Sequence, residues 1–367
     1  IIGNVPHLRF PEFSGEWNKY TINDLATVVG GGTPDTTVKS YWGGDIQWFT
    51  PSEIGKNKYV DFSKRTITRD GLDNSSAKLL PLHTILLSSR ATVGECSIAS
   101  NECTTNQGFQ SLIAKQCNID FLYYLIQTKK KDLIRNACGS TFLEISANEI
   151  RKIKVAVPVQ NEQEQIAKLL SLIDERIATQ NKIIEKLQSL IKGLAAQLTQ
   201  SGTPNIRLCD CLECHSSTLQ ENCVSVTGSY PVYGATGLIG YTNNYAYNGE
   251  SILIVKDGSG VGSLSYVNDH FSVIGTLNYL TAKENYSILY LYYALMAFNF
   301  TPYITGMAIP HIYFKDYGKA KLFYPSIEKR IRIASLLHNI EQKLVVEQNL
   351  VISLSAQKSY LLRMLFI

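Results

Sequence analysis

Apolar residues recur at alternating gaps of four and three positions in two long stretches, residues 158–198 and 325–365. This heptad spacing is typical of a helix that buries one narrow stripe against a partner helix, so it predicts two long coiled-coil helices. At about 1.5 Å per residue, each helix would extend about 60 Å. The stripe of the first helix consists of Ile166, Leu170, Ile173, Ile177, Gln180, Ile184, Leu187, Ile191, Leu194 and Leu198.

The second stretch is an ungapped copy of the first, displaced by 167 residues, and Pro158 falls on Pro325. A period this long does not fit a solenoid and indicates a duplicated module instead, with the order globular unit, long helix, globular unit, long helix. The stripe of the second helix consists of Ile333, Leu337, Ile340, Leu344, Glu347, Val351, Leu354, Lys358, Leu361 and Leu365.

The duplication predicts an α+β fold in which two pseudo-symmetric globular units are separated by a long antiparallel coiled coil of two helices. Gln180 and Glu347 are equivalent polar interruptions of the stripes, so we expect them to meet and to fix the register. The predicted segments are 1–157 for an irregular arm and the first unit, 158–200 for the first helix, 201–324 for the second unit and 325–367 for the second helix.

Both globular units show short β-like runs punctuated by Gly, Pro and Asn, and the first adds one predicted helix over Asp120–Arg135. Their apolar segments correspond, with INDL ending at Leu25 opposite LCDC ending at Cys211. Their polar loops differ. Loops on a common scaffold are where specificity usually resides, so the divergence favours two related units with different ligands.

Composition fits two ordinary globular domains, with 45% hydrophobic residues and a mean hydropathy of −0.04. No run of 18 apolar residues occurs and the first residues lack the layout of a signal peptide, so we expect a cytoplasmic protein without membrane contact. The net charge of +4 tolerates a nucleic-acid partner without demanding one. The segment Cys209–His215 contains a C-x-x-C pair, but core cysteines explain it better than a metal site, and we expect no metal.

Enzyme motifs are missing from the sequence. There is no GxxxxGK[ST] phosphate loop, no HExxH and no Asn/Asp-Pro-Pro-Tyr/Phe segment. The GSGVG segment at Gly258–Gly262 follows a β-like run and precedes another, which favours a β-turn over a dinucleotide loop. The chain is therefore interpreted as a binding protein without catalytic residues.

The loops of the first unit combine Lys and Arg with side chains able to address base edges. Residues 17–152 hold 16 Lys and Arg against 13 Asp and Glu, whereas residues 203–319 hold 5 against 8. Basic charge thus supports DNA binding by the first unit alone. For the tyrosine-rich second unit, a DNA-reading face and a solvated hairpin with packed tyrosines both stay open. The candidate DNA-binding residues, placed on turns beside strand ends, are Thr33, Lys39, Tyr41, Thr50, Ser52, Arg90, Thr92, Gln107, Tyr233, Thr236, Lys256, Asp257, Ser259 and His270.

Several motifs together resemble the specificity (S) subunits of bacterial type I restriction-modification systems. They are LRFPEFSGEW ending at Trp17, WFTPSEIG from Trp48, ILLSSRATVG from Ile85, PVQNEQEQIA from Pro158 and YPVYGATGLIGY from Tyr230. The resemblance covers essentially the whole chain. The second helix departs from the pattern, with Lys329 and Arg330 where the first has Glu162 and Gln163.

The resemblance implies two target-recognition domains, each reading one half of a bipartite, asymmetric sequence in double-stranded DNA. It implies that the helices set the spacer and dock two modification (methyltransferase) subunits, which restriction (translocase/nuclease) subunits then join. The chain itself would bind no cofactor, while the partner subunits use S-adenosylmethionine and ATP with Mg²⁺. The alternative is a non-enzymatic coiled-coil scaffold whose globular ends bind proteins.

Overall fold

A computed structural model describes residues 4–139 and 143–367, which form two compact units. Of these residues, unit 1 contains 4–139, 143–180 and Leu350–Ile367, and unit 2 contains Asn181–Asn349. Each long helix therefore contributes one part to each unit.

Unit 1 begins with strands and short helices in the order β1 Asn18–Thr21, α1 Ile22–Leu25, β2 Ala26–Gly30, β3 Trp42–Phe49, β4 Tyr59–Val60, β5 Arg65–Ile67, α2 Arg69–Asp73, β6 Ile85–Leu87, β7 Cys96–Ala99, β8 Cys103–Thr105 and β9 Gln110–Ala114. The remaining elements are α3 Ile119–Thr128, α4 Lys130–Arg135, α5 Ala147–Lys152, β10 Lys154–Val157 and the first part of α6 Gln160–Thr199. The strands form a five-stranded sheet in the order β2-β9-β6-β7-β4, a three-stranded sheet β5-β3-β8 and the antiparallel pair β1-β10.

The sequence predicts one helix over Asp120–Arg135, and the structure corrects this prediction. The helix breaks into α3 and α4 at Lys129, whose φ of −90° and ψ of 7° leave the helical region. α3 is buried over Phe121–Ile126, whereas only Leu133 is buried in α4. The break therefore separates the buried helix α3 from the more exposed helix α4.

Unit 2 repeats this plan with a larger sheet. After the second part of α6, its elements are β11 Ile206–Arg207, α7 Leu208–Cys211, β12 Leu212–Ser216, β13 Tyr230–Gly234, β14 Gly237–Thr242, β15 Tyr247–Val255, β16 Leu264–Val273, β17 Leu277–Ala282, α8 Ile288–Met296, α9 Phe314–Tyr317, β18 Lys321–Leu322 and the first part of α10 Ile327–Leu365. The main sheet has the order β12-β17-β15-β16-β13-β14, and β11 pairs with β18 as β1 pairs with β10. The predicted match of INDL with LCDC is confirmed, because both segments form one helical turn, α1 and α7.

Inside each unit the two long helices run in opposite directions. In unit 1, Asp174 of α6 forms an ion pair with Lys358 of α10 at 2.7 Å. Toward the start of α6 and the end of α10, Ile166 shares a core with Leu365. In unit 2, Leu194 and Leu198 near the end of α6 share a core with residues near the start of α10, among them Ile333 and Leu337.

Every predicted stripe residue is buried or half-buried, so the heptad interpretation is confirmed. The helices begin at Gln160 and Ile327, two residues after the prolines that open the pattern. Gln180 and Glu347 are 3% and 7% exposed, so both polar interruptions are buried. Their meeting stays a prediction.

Candidate nucleic-acid interface

Four loops of unit 1 are joined by backbone hydrogen bonds into one surface, which we call loop cluster 1. It consists of residues 30–38, 50–54, 88–94 and 106–109. The Gly32 N–H donates to the Thr105 carbonyl at 2.8 Å, and the Asn106 N–H donates to the Phe49 carbonyl at 3.0 Å. The Ser89 N–H donates to the Gly108 carbonyl at 2.8 Å. Loops that are far apart in sequence therefore present their side chains together.

Most residues chosen in the first unit lie in loop cluster 1. The hydroxyl of Thr33 meets the Gln107 side chain. Thr50 caps the turn Pro51–Glu53, and its hydroxyl lies 3.1 Å from that of Ser52. Thr92 contacts Ser88 at 3.0 Å. Lys39 and Tyr41 lie elsewhere, on a turn whose Tyr41 carbonyl accepts from the Thr68 N–H next to α2.

Two of the three guanidinium nitrogens of Arg90 are hydrogen-bonded to Glu144, 54 residues further along the chain. Its Nε and Nη2 both donate to Oε2 of Glu144, at 3.0 and 2.7 Å. Both side chains are over 40% exposed, so the pair is solvent-screened and exchangeable. Nη1 makes no hydrogen bond to any described residue, which leaves Arg90 able to donate to a ligand.

The glycine-rich segment after β2 serves close packing. A Cβ on Gly31 would lie 2.0 Å from the Asn106 carbonyl oxygen, and one on Gly32 would lie 2.3 Å from the Ala77 nitrogen. No side chain fits there. The segment is threaded between two other loops, which fixes the position of the following Thr33. Farther along, hydrogen bonds from the Thr37 side chain and backbone lower the pKa of Asp35, so this carboxyl stays charged.

Unit 2 carries an equivalent surface, loop cluster 2, formed by residues 256–263, 274–276 and 305–311. The Lys256 N–H donates to the Thr276 carbonyl at 3.0 Å, and the Ile312 N–H donates to the Lys256 carbonyl at 2.9 Å. Unit 1 has the same two bonds, Ser89 to Gly108 at 2.8 Å and Ile145 to Ser89 at 2.9 Å. The backbone scaffold of the two clusters is thus shared.

The side chains on this shared scaffold differ. The backbone of Arg90 pairs with that of Glu144 beside loop cluster 1, and the backbone of Asp257 pairs with that of His311 at the equivalent place in loop cluster 2. The cation of unit 1 is therefore replaced by an anion. Asp257 is paired instead with the ammonium of its neighbour Lys256. Two surfaces with one backbone and different donor and acceptor patterns are suited to different ligands.

The other residues chosen in unit 2 lie partly on turns, Ser259 within loop cluster 2 among them, and partly within strands. Thr236 lies on the turn between β13 and β14, and Ser259 on the turn between β15 and β16, as predicted. Tyr233 and His270 are corrections, because they lie within β13 and β16. Glycines nearby suggest turns, but here glycine sits inside strands: a Cβ on Gly240 would lie 2.5 Å from the Ser225 carbonyl oxygen.

His270 belongs to an aromatic group at the other end of β15 from loop cluster 2. Its ring centroid lies 4.6 Å from that of Tyr245 and 5.5 Å from that of Tyr230. Hydrogen bonds from the His270 backbone and ring lower the pKa of Asp269. The half-exposed rings could stack on a base, and the anion beside them disfavours a phosphate.

Sequence reasoning missed a cation stacked on an indole in the three-stranded sheet of unit 1. The Arg65 guanidinium carbon lies 3.5 Å from the ring centroid of Trp42 and 5.6 Å from that of Trp48. The basic segment KRTITR, which begins at Lys64, and the two tryptophans on strand β3 could have identified the platform.

The two helix starts are held differently. Glu162 is fully buried and accepts from Arg9 Nε and Nη2 at 2.8 and 2.7 Å. The Trp17 indole N–H also donates to it, at 3.2 Å. At the equivalent position of α10, Lys329 is exposed and donates to the Ser201 hydroxyl at 3.1 Å. The sequence difference between the two helix starts therefore gives them different contacts within the chain.

The described residues offer neither a metal site nor a membrane span. In residues 4–139 and 143–367, no three His, Cys, Asp or Glu side chains gather as metal ligands would. Every helix in that part of the chain is too short or too polar to span a bilayer. Cys211 of the C-x-x-C segment is fully buried in the core of unit 2.

Comparison with known proteins identifies the family. The model of the type I restriction modification DNA specificity domain matches twice, at residues 14–189 and 206–354. The two matches correspond to the duplicated module and cover most of the chain. The chain therefore belongs to the type I restriction-modification DNA specificity family.

Two relatives agree with this assignment, and a solved structure shares the fold. The MjaIX specificity subunit of Methanocaldococcus jannaschii is 38% identical over 197 residues, which is 51% of this chain and only 43% of that relative. The EcoprrI specificity subunit of Escherichia coli is 25% identical over 361 residues, covering 89% of this chain and 87% of the relative. The crystal structure of an S subunit from M. genitalium has a TM-score of 0.67 at 19% identity, covering 99% of both chains, so the fold is shared.

Proposed function

We propose that this chain is the DNA-reading specificity subunit of a type I restriction-modification complex. Unit 1 reads one half of a bipartite site and unit 2 reads the other half. The observation that carries the proposal is the pair of loop clusters, which share their backbone hydrogen bonds while Arg90 and Glu144 are replaced by Asp257 and His311. Two different readers suit an asymmetric sequence, whereas identical readers would require a palindrome.

The long helices would set the unspecified spacer between the halves and dock two methyltransferase subunits. With both readers on one face of the duplex, the half-site centres would lie about 10 bp apart. The chain would perform no chemistry and bind no cofactor. S-adenosylmethionine would be used by the modification subunits, and ATP with Mg²⁺ by restriction subunits that join them. Family membership favours this function over a general protein-binding scaffold.

The assignment of halves is tested by selecting duplexes from a randomised pool with the chain and its methyltransferase partner. Arg90→Ala is expected to relax one half of the selected motif and Asp257→Ala the other, by about 1–3 kcal/mol at the affected base pair if each contacts a base. Lys329→Ala lies outside both clusters and serves as the control. Relaxation of both halves by either loop variant would contradict the division of labour.

The spacer function is tested by deleting seven residues, about two helical turns, within 174–190 and the matched seven within 341–357. The apolar stripes of the two helices keep their heptad phase in such a variant because one full heptad is removed from each helix. The expected result is a changed spacer with both half-sites retained. An unchanged spacer in methylation mapping would refute the idea that the helices measure distance.

A further inference from the structure

Arg65 is held against an aromatic platform that the rest of unit 1 fixes in place. It stands opposite Trp48 on the neighbouring strand β3. The two indoles meet edge to face, with centroids 5.0 Å apart at an interplanar angle of 90°. Trp48 is only 5% exposed and packs with Ile67. The platform therefore belongs to a core and is rigid.

Both indole N–H groups are tied to the glycine-rich segment. Trp48 Nε1 donates to the Gly32 carbonyl at 2.9 Å, and Trp42 Nε1 donates to the Asp35 carbonyl at 3.1 Å. Between these two residues lies Thr33, which contacts Gln107. The platform is thus continuous with loop cluster 1.

The Arg65 side chain is exposed, and its guanidinium makes no hydrogen bond or ion pair with any residue the structure describes. Other arginines of unit 1 are engaged, since Arg90 is paired with Glu144 and Arg69 with Asp73. Stacking fixes one flat face of Arg65 and leaves the donor edge open. A planar guanidinium group held in this way loses little side-chain entropy when it forms two parallel hydrogen bonds.

We propose that Arg65 reads a guanine in the half-site of unit 1, donating two hydrogen bonds to O6 and N7 in the major groove. This inference rests on the proposed function and adds a specificity residue to it. This pair of hydrogen bonds is the commonest specific contact of arginine with DNA. It needs a planar guanidinium group in a fixed orientation, which the stacking on Trp42 provides. A phosphate contact needs only a point charge, which the exposed neighbour Lys64 already offers.

The experiment compares wild-type and variant chains, each with the methyltransferase partner, in selection from a randomised duplex pool. Arg65→Lys keeps the positive charge but removes the planar guanidinium group with its two parallel donors. We expect wild-type protein to select a G·C pair at one position, and Arg65→Lys to lose that preference by about 10- to 100-fold there alone. Trp42→Phe keeps an aromatic face and should retain the preference, whereas Trp42→Leu should weaken it. Arg69→Lys, the matched control, should leave the motif unchanged.

The alternatives give different results. Retention of every base preference in Arg65→Lys and Arg65→Ala would overturn the proposal. So would a uniform loss of affinity for all duplexes in Arg65→Ala with a salt slope lowered by about one, because that result marks a phosphate contact. If wild-type protein selects no motif, the proposed function itself fails. Folding of each variant is checked by tryptophan fluorescence.

Discussion

Arg9→Ala removes the cation that neutralises a fully buried carboxylate at the start of α6. Glu162 is 0% exposed and receives two hydrogen bonds from Arg9 and a longer one from Trp17. The hydrogen bond to Glu162 raises the pKa of Arg9, so the guanidinium is charged throughout the working pH range. In the variant the carboxylate would keep only the indole N–H among these partners.

Breaking a buried ion pair by deleting one partner costs about 3–5 kcal/mol, because the other charge is left without compensation. The Arg9 side chain is 15% exposed, so water can partly replace it and the lower end applies, about 3 kcal/mol. With a urea slope of about 3 kcal/mol/M, the unfolding midpoint of unit 1 would fall by about 1 M. Glu162→Gln keeps the shape and removes the buried charge, so it should cost less.

The assay uses a property of the sequence, since Trp17, Trp42 and Trp48 are its three tryptophans and all lie in unit 1. Tryptophan fluorescence during urea unfolding therefore follows unit 1, while far-ultraviolet circular dichroism follows both units. Lys329→Ala alters the equivalent, exposed position of α10 and should change stability by at most about 0.5 kcal/mol. A midpoint for Arg9→Ala within experimental error of wild type would refute the reasoning.

Three further predictions concern packing and burial. Gly31→Ala should destabilise unit 1 by over about 2 kcal/mol because its Cβ would meet the Asn106 carbonyl oxygen at 2.0 Å. Gly193 lies on α6, where an added Cβ would meet no atom within 4 Å apart from the backbone of its own helix, so Gly193→Ala should stabilise the protein by up to about 1 kcal/mol. Equal effects of the two substitutions in urea unfolding would contradict this. Tyr293→Phe removes a 2.7 Å hydrogen bond to Glu341 and should destabilise unit 2 by about 1.5–3 kcal/mol in circular dichroism, with the tryptophan signal of unit 1 unchanged. At pH 8, iodoacetamide should label the exposed Cys138 and Cys223 but not Cys103 in the folded protein, because burial raises the pKa of Cys103 to about 12. Labelling is read by mass spectrometry, and rapid labelling of Cys103 in native protein would contradict the prediction.

The long helices could be predicted from sequence because a heptad stripe is a local, repeated signal that each turn reinforces. The duplication then supplied the second unit, down to the single turns α1 and α7. The break at Lys129 escaped prediction because the segment contains no glycine or proline near it to mark the end of a helix.

The contacts of the candidate site could not be predicted in the same way. The pairing of Arg90 with Glu144 joins residues 54 positions apart and depends on how two loops are threaded. The stack of Arg65 on Trp42 depends on the register of β3 against β5, which shifts between Trp42 and Ile46. Such an irregularity breaks the two-residue alternation on which strand prediction rests. The sequence was sufficient to locate the candidate surfaces, but which of their side chains already have hydrogen-bond or stacking partners could be seen only in the folded structure.

Methylation mapping of host DNA, with and without the chain beside its methyltransferase partner, tests the division into two different readers most directly. The expected motif depends on the chain, has two unlike halves separated by unspecified bases, and places the half-site centres about 10 bp apart. A palindromic motif, a continuous one, or methylation that does not depend on the chain would contradict it.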